Sequence, residues 1–170
     1  NLFQENFTKK IKFFFQNILD YKNFAIYRSF NVDDFILSKK TKMVKNLSNI
    51  QYQNIIKNIK EKKDILDIKI DDILIGDLIY DTFLKKFGLP TINIEDKKFL
   101  GLLKSSIENF YFWKLFFEKN NVKSLIISDT TYVNAIILRI SVYNGISTYQ
   151  CNWDNIHKID KNNLYAYSKY

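Results

Sequence analysis

The chain has 170 residues with 46% hydrophobic and 16% aromatic content, enough for one packed domain and too apolar for extended disorder. Only 4 glycines and 1 proline disfavour a turn-rich all-β fold, and the single cysteine, Cys151, excludes an internal disulfide and fits a reducing compartment. The formal charge of +8 falls on residues 1–63, which hold 13 Lys/Arg against 5 Asp/Glu, and it points to an anionic partner: a membrane surface, a phosphate-bearing substrate or nucleic acid.

Nucleic acid is the weakest of these partners. Lys outnumbers Arg 24 to 2. The guanidinium fork that matches phosphates and guanine edges is therefore nearly missing. A chain rich in Lys, Asn and Ile also follows from A/T-rich codon usage alone. No apolar run of about 18 residues exists, so no transmembrane helix is expected. The segment Lys9 to Leu19 lacks the small-residue cleavage site of a signal peptide. The first residue is Asn1, which suits a processed product or a piece of a longer chain.

In chain order, Ile11, Phe14, Phe15, Ile18 and Leu19 share one face of a helix expected over 8–20. Phe24 to Tyr27 reads as a first strand, and 31–38 as a loop. Within the lysine-rich stretch 39–63, Ile50, Ile55, Ile56 and Ile59 have helical spacing, and the opposite face is basic and solvated. Asp72-Ile73-Leu74-Ile75 reads as a short buried strand closed by Gly76. Leu78, Ile79, Phe83, Leu84 and Phe87 then mark a helix stopped by Gly88 and Pro90. Residues 91–95 read as a loop. Asp96 caps a long helix to about Asn120, whose wide aromatic stripe predicts cover on more than one side.

The clearest unit runs from Val122 to Tyr149. Ser124 to Ile127 is a strand, and Val133, Ile136, Ile137 and Ile140 mark a helix capped by Ser128 or Asp129. Asn144-Gly145 ends it, and Ile146 to Tyr149 is the next strand. Strand, helix and strand on short connections form a βαβ unit with a parallel sheet. Leu164 to Tyr167 reads as a further strand. Alternating strands and helices predict a single Rossmann-like domain over 1–170: a three-layer α/β/α sandwich with a mainly parallel sheet.

The pattern Ile-x-Asp-x-x-Tyr occurs twice, at 75–80 and at 127–132, each time where a strand gives way to a helix. In an open α/β sheet that position is a ligand-binding mouth. Asp77 and Asp129 are the candidate catalytic carboxylates, each able to serve as a general base toward a hydroxyl. Each is equally placed to cap a helix. Gly76 permits a tight turn or a close approach to a ligand. Asp81 lies one helical turn after Asp77. Ser128 and Thr130 supply hydroxyls beside Asp129, and Tyr80 and Tyr132 can stack on a sugar ring or pack at the cleft. With no His or Cys beside these carboxylates, no metal site is predicted. His157 reads as a surface or capping residue, and Cys151 as a small apolar core residue. No phosphate-binding glycine loop, nucleophile elbow or C-x-x-C pair occurs.

Ile75-Gly76-Asp77-Leu78-Ile79-Tyr80-Asp81-Thr82, Ser128-Asp129-Thr130-Thr131-Tyr132, Leu138-Arg139-Ile140 and Asn162-Asn163-Leu164-Tyr165 resemble the N-terminal part of bacterial surface-polysaccharide glycosyltransferases. These are capsule- and lipopolysaccharide-type enzymes of the two-Rossmann GT-B architecture, and the resemblance covers residues 23–170. It implies an acceptor-side domain that supplies the catalytic base, with a second, C-terminal half, absent from these residues, binding the nucleotide-sugar donor. Relatives often carry histidine at the position of Asp129, a role aspartate can also fill. The implied function is transfer of a sugar from a nucleotide sugar to an acceptor hydroxyl in surface-polysaccharide biosynthesis. The 170 residues alone would be inactive. Asp129 or Asp77 would be the base, with Gly76, Tyr80, Asp81, Ser128, Thr130 and Tyr132 binding substrate. The chain itself would hold no cofactor. The implied partner is a sugar or lipid-linked saccharide acceptor, and the implied location is the cytoplasm, at the inner face of the cell membrane beside lipid phosphates. The alternative is a non-enzymatic basic α/β module that docks on anionic membrane or nucleic acid.

Overall fold

The computed structural model describes residues 32, 36, 40–152 and 155–164. The expected helix over 8–20, the strand at 24–27 and the tail strand beyond Leu164 lie outside these residues. From Lys42 onward the chain is one structural unit of mixed helix and strand.

The lysine-rich segment forms helix α1, Lys42–Asn58, with Val44, Ser48 and Ile55 buried along one side and its lysines on the solvated side. A short helix α2, Lys62–Leu66, follows. Asp64 holds its start, accepting hydrogen bonds from the backbone N–H groups of Lys60 and Glu61 at 2.8 and 2.9 Å. The chain then makes a tight hairpin, β1 Lys69–Ile70 and β2 Ile73–Leu74, paired antiparallel. Its two-residue turn, Asp71-Asp72, has φ of 50° and 64°, the left-handed pair that such hairpins require. Lys114 reaches the Asp71 carboxylate at 2.5 Å and ties the hairpin to the long helix.

Helix α3, Gly76–Phe87, buries Leu78, Ile79 and Phe83 and ends at Gly88 in the left-handed conformation. Helix α4, Lys97–Lys119, starts at Asp96, whose carboxylate accepts from the Lys98 N–H at 2.7 Å, and ends at Asn120. Eleven of its residues are buried because it packs against α1 on one side and against α3 and the later elements on others. Phe83 of α3 meets Phe99 of α4 edge to face at 6.1 Å. The expected wide cover of this aromatic helix is what the packing provides.

The expected βαβ unit is present. Strand β3, Ser124–Ile127, pairs parallel with β4, Ser147–Cys151. Between them lie a 3-10 turn, Val133–Ala135, and helix α5, Ile136–Tyr143. Asn144 closes α5 and Gly145 follows at φ 72°. A strand absent from the sequence reading, β5 Ile156–Ile159, adds antiparallel to β4. The resulting order is β3-β4-β5, a small mixed sheet. Ile127, Ile159 and Leu164 pack with Leu138 and Val142 of α5.

One expectation changes here. The strand before Gly76 belongs to the antiparallel hairpin and not to the sheet of β3, so the two Ile-x-Asp-x-x-Tyr copies follow strands of separate sheets. The turn at Asp71-Asp72 sends the chain straight back on itself before a longer strand can form. Among the described residues no helix is long and apolar enough to cross a membrane.

Candidate functional site

The two sequence copies meet through α3. At its start, the backbone N–H groups of Ile75 and Gly76 both donate to the Ile68 carbonyl, at 2.9 and 3.0 Å. A Cβ on Gly76 would run into the Ile65 carbonyl oxygen and come within 2.8 Å of the Ile68 nitrogen. The missing side chain therefore lets α3 begin against the end of α2, and the space a ligand would need there is filled by backbone.

Asp77 lies in the first turn of α3. Its carboxylate accepts two hydrogen bonds from Arg139 of α5, Nη1 at 2.5 Å and Nη2 at 2.6 Å. Arg139 Nη1 also donates to the Leu74 carbonyl at 2.6 Å. The guanidinium is 1% exposed and the Asp77 side chain 21%. A charge this deep persists only when paired and hydrogen-bonded, and the fork geometry does both. Tyr80 sits half-buried on the same helix, and Asp81 is exposed one turn after Asp77. Partial burial and then the neighbouring Asp77 carboxylate raise the Asp81 pKa above its ordinary value, against the pull of Arg139.

The second copy forms a loop, not the helix cap expected of Ser128 or Asp129. The helical backbone starts only at Val133. Asp129 Oδ1 accepts from the Thr131 N–H at 2.9 Å and the Thr131 hydroxyl at 2.7 Å, which closes an Asx turn. Among the described residues its Oδ2 makes no hydrogen bond. Ser128 is exposed, and its carbonyl accepts from Gln150 Nε2 at 3.4 Å. Thr130 is fully buried.

Tyr132 has φ 56° and ψ −179°, a region otherwise left almost wholly to glycine. Its neighbours hold it there. The Val133 N–H donates to Thr82 Oγ1 of α3 at 2.8 Å, and Asn109 Nδ2 of α4 donates to the Val133 carbonyl at 3.4 Å. The Lys85 ammonium stands 4.1 Å from the Tyr132 ring centroid.

Between α3 and this loop opens a cavity of about 420 Å³, lined by Thr82, Lys85, Lys86, Asp129, Tyr132, Val133 and Asn134. That volume suits a small ligand. Two ammonium groups can hold an anionic group, the aromatic ring can pack on a sugar face, and a half-buried carboxylate can accept a hydroxyl proton. Of the sequence candidates, Asp129 and Tyr132 line this cavity; Gly76, Asp77, Tyr80, Asp81, Ser128 and Thr130 do not.

Thr82, Lys85 and Lys86 were not among the expected residues, and neither was the pairing of Arg139. The lysines carry no signal of their own in a lysine-rich chain. Arg139 does: it is one of two arginines and stands inside the apolar run Ile136 to Val142, where a lone charge demands a partner. Among the described residues no group of three or more His, Cys, Asp or Glu side chains is arranged to hold a metal ion. No protein-family model, curated protein or solved structure matches the chain.

Proposed function

We propose that this chain is the acceptor-side domain of a glycosyltransferase of surface-polysaccharide biosynthesis, of Rossmann-like three-layer type. One observation carries the reading: Asp129, Tyr132, Lys85 and Lys86 line a single cavity between α3 and the loop after β3. Asp129 is the base. Its Oδ2 takes the proton of the acceptor hydroxyl while that oxygen attacks the anomeric carbon of the donor sugar. The bond between that carbon and the donor phosphate breaks, and the nucleoside diphosphate leaves. Tyr132 packs against the acceptor ring, and Lys85 and Lys86 hold a phosphate of a lipid-linked acceptor. Asp77 acts by holding Arg139 and so fixing α3 against α5. The basic residues 1–63 bring the domain to anionic lipid at the inner face of the membrane.

The test is transfer from a panel of labelled nucleotide sugars to glycoside and lipid-phosphate acceptors by the full-length gene product. Labelled acceptor formed by the native protein and not by Asp129→Asn supports the reading. Absence of transfer from every donor, together with steeply salt-dependent binding to DNA, would replace it with the basic binding module.

A further inference from the structure

The turn between α3 and α4 gathers positive charge around an exposed apolar tip. Lys85 and Lys86 stand in the last turn of α3, and Lys97 and Lys98 in the first turn of α4. All four are exposed. Among the described residues none of them forms a salt bridge. The Lys86 and Lys98 ammonium groups both stand over the Phe87 ring, 5.5 and 5.3 Å from its centroid, so residues of the two helices converge there. Residues 88–91 between them are exposed throughout. A Cβ on Gly88 would meet nothing within 4 Å, and Leu89 keeps 38% of its surface in solvent.

Four lysines against Glu95 and Asp96 leave residues 85–98 net positive. The Asp96 carboxylate is already engaged by the Lys98 N–H. Helix α4 has no acidic side chain in its first turn and carries two lysines where the helix dipole disfavours cations. An anion outside the chain reverses that cost. Leu89 and Pro90 lie amid the lysines and add what a purely ionic partner does not need, an apolar edge able to enter a headgroup layer. We propose that this turn docks on an anionic lipid bilayer, with Leu89 and Pro90 in the interface and Lys86, Lys97 and Lys98 at the headgroup phosphates. A nucleic-acid backbone would use the lysines alone and leave the apolar tip idle. The surface is separate in sequence from the basic residues 1–63, and it adjoins the cavity, which Lys85 and Lys86 also line. A lipid-linked acceptor would then reach the cavity from the membrane plane. That consequence rests on the transfer reading; the bilayer contact itself does not.

The experiment is co-sedimentation of the full-length protein with vesicles of phosphatidylcholine alone, and of phosphatidylcholine and phosphatidylglycerol in equal parts, with duplex DNA titrated beside them. Binding should require the anionic lipid and weaken as salt is added. Lys97→Gln combined with Lys98→Gln should weaken it about tenfold, and Lys97→Arg combined with Lys98→Arg should keep it. Leu89→Ser should weaken vesicle binding about fivefold and leave any DNA binding unchanged. A comparison pair, Lys123→Gln combined with Lys158→Gln at exposed positions by β3 and β5, removes the same charge and should bind vesicles as the native protein does. Every replaced side chain is exposed, so the melting temperature should hold in each variant. Vesicle binding needs no donor sugar, so its failure is read separately from failure of transfer. No binding to the anionic vesicles, undiminished binding without Lys97 and Lys98, or an equal loss in the comparison pair would overturn the docking surface. DNA binding that depends on Lys97 and Lys98, with no vesicle binding, would assign the lysines to nucleic acid instead.

Discussion

Arg139 crosses from α5 to α3 and holds Asp77 with both terminal nitrogens while also capping the Leu74 carbonyl. One nearly buried guanidinium thus joins the helix of the βαβ unit to the helix that follows the hairpin. Asp77→Asn removes the charge partner of a residue that is 1% exposed and should cost about 3–5 kcal/mol. Adding Arg139→Met should recover a large part of that loss, because the stranded charge goes with it. Urea denaturation of both singles and the double variant checks this; strictly additive losses would show that the two residues act separately.

Gly76 is a close-approach position. Gly76→Ala places a methyl group on the Ile65 carbonyl, and backbone at the end of α2 cannot swing aside as a flexible side chain would. The expected loss is about 3 kcal/mol. A denaturation midpoint equal to that of the native chain would mean that α2 and α3 are not packed this way.

Tyr132 offers a test of stored strain. Replacing it by alanine removes the ring but keeps a Cβ at φ 56°. Replacing it by glycine removes both. Tyr132→Gly should therefore be more stable than Tyr132→Ala by about 1 kcal/mol, the reverse of the usual order in which glycine is the weaker residue. Both variants lose the ring that is proposed to pack on an acceptor sugar. The usual order, alanine above glycine, would remove the strain argument for this loop.

Asp81 makes stability depend on pH. Its folded pKa is raised, first by partial burial and then by Asp77. The folded state therefore holds that proton more tightly than the unfolded chain does. Stability contributed by this group falls as pH rises from the unfolded value of 3.8 through the folded pKa. Asp81→Asn should raise the melting temperature at neutral pH, and the gain should vanish in acid, where the native carboxyl is protonated. A gain that is the same at both pH values would assign it to something other than this carboxylate.

The parts of the fold legible in the sequence are those with enough length for a period and with a marked end. Helix α4 shows a continuous apolar stripe and its cap Asp96. Helix α3 shows the stop at Gly88, and α5 the stop at Asn144-Gly145. The hairpin was hidden because its turn is Asp71-Asp72, without the glycine or asparagine that usually marks left-handed pairs. Helix α2 is 5 residues long, too short for a helical period to show. Strand β5 has 4 residues, and His157-Lys158 breaks its apolar pattern. In the site, the repeated Asp and Tyr located the loop that lines the cavity. The different surroundings of the two carboxylates were not legible, because they come from one long-range contact, Asp77 with Arg139, 62 residues apart.

The assignment of the cavity rests most directly on Asp129. The measurement is sugar transfer by the native full-length protein, by Asp129→Asn and by Asp77→Asn, with the melting temperature of each recorded beside it. Asp129→Asn is expected to lower turnover by roughly 10²–10⁴-fold with an unchanged melting temperature, as for loss of a general base. Asp77→Asn is expected to lose activity only in step with its loss of stability. Full turnover by Asp129→Asn would contradict the assignment of this cavity as the site of transfer.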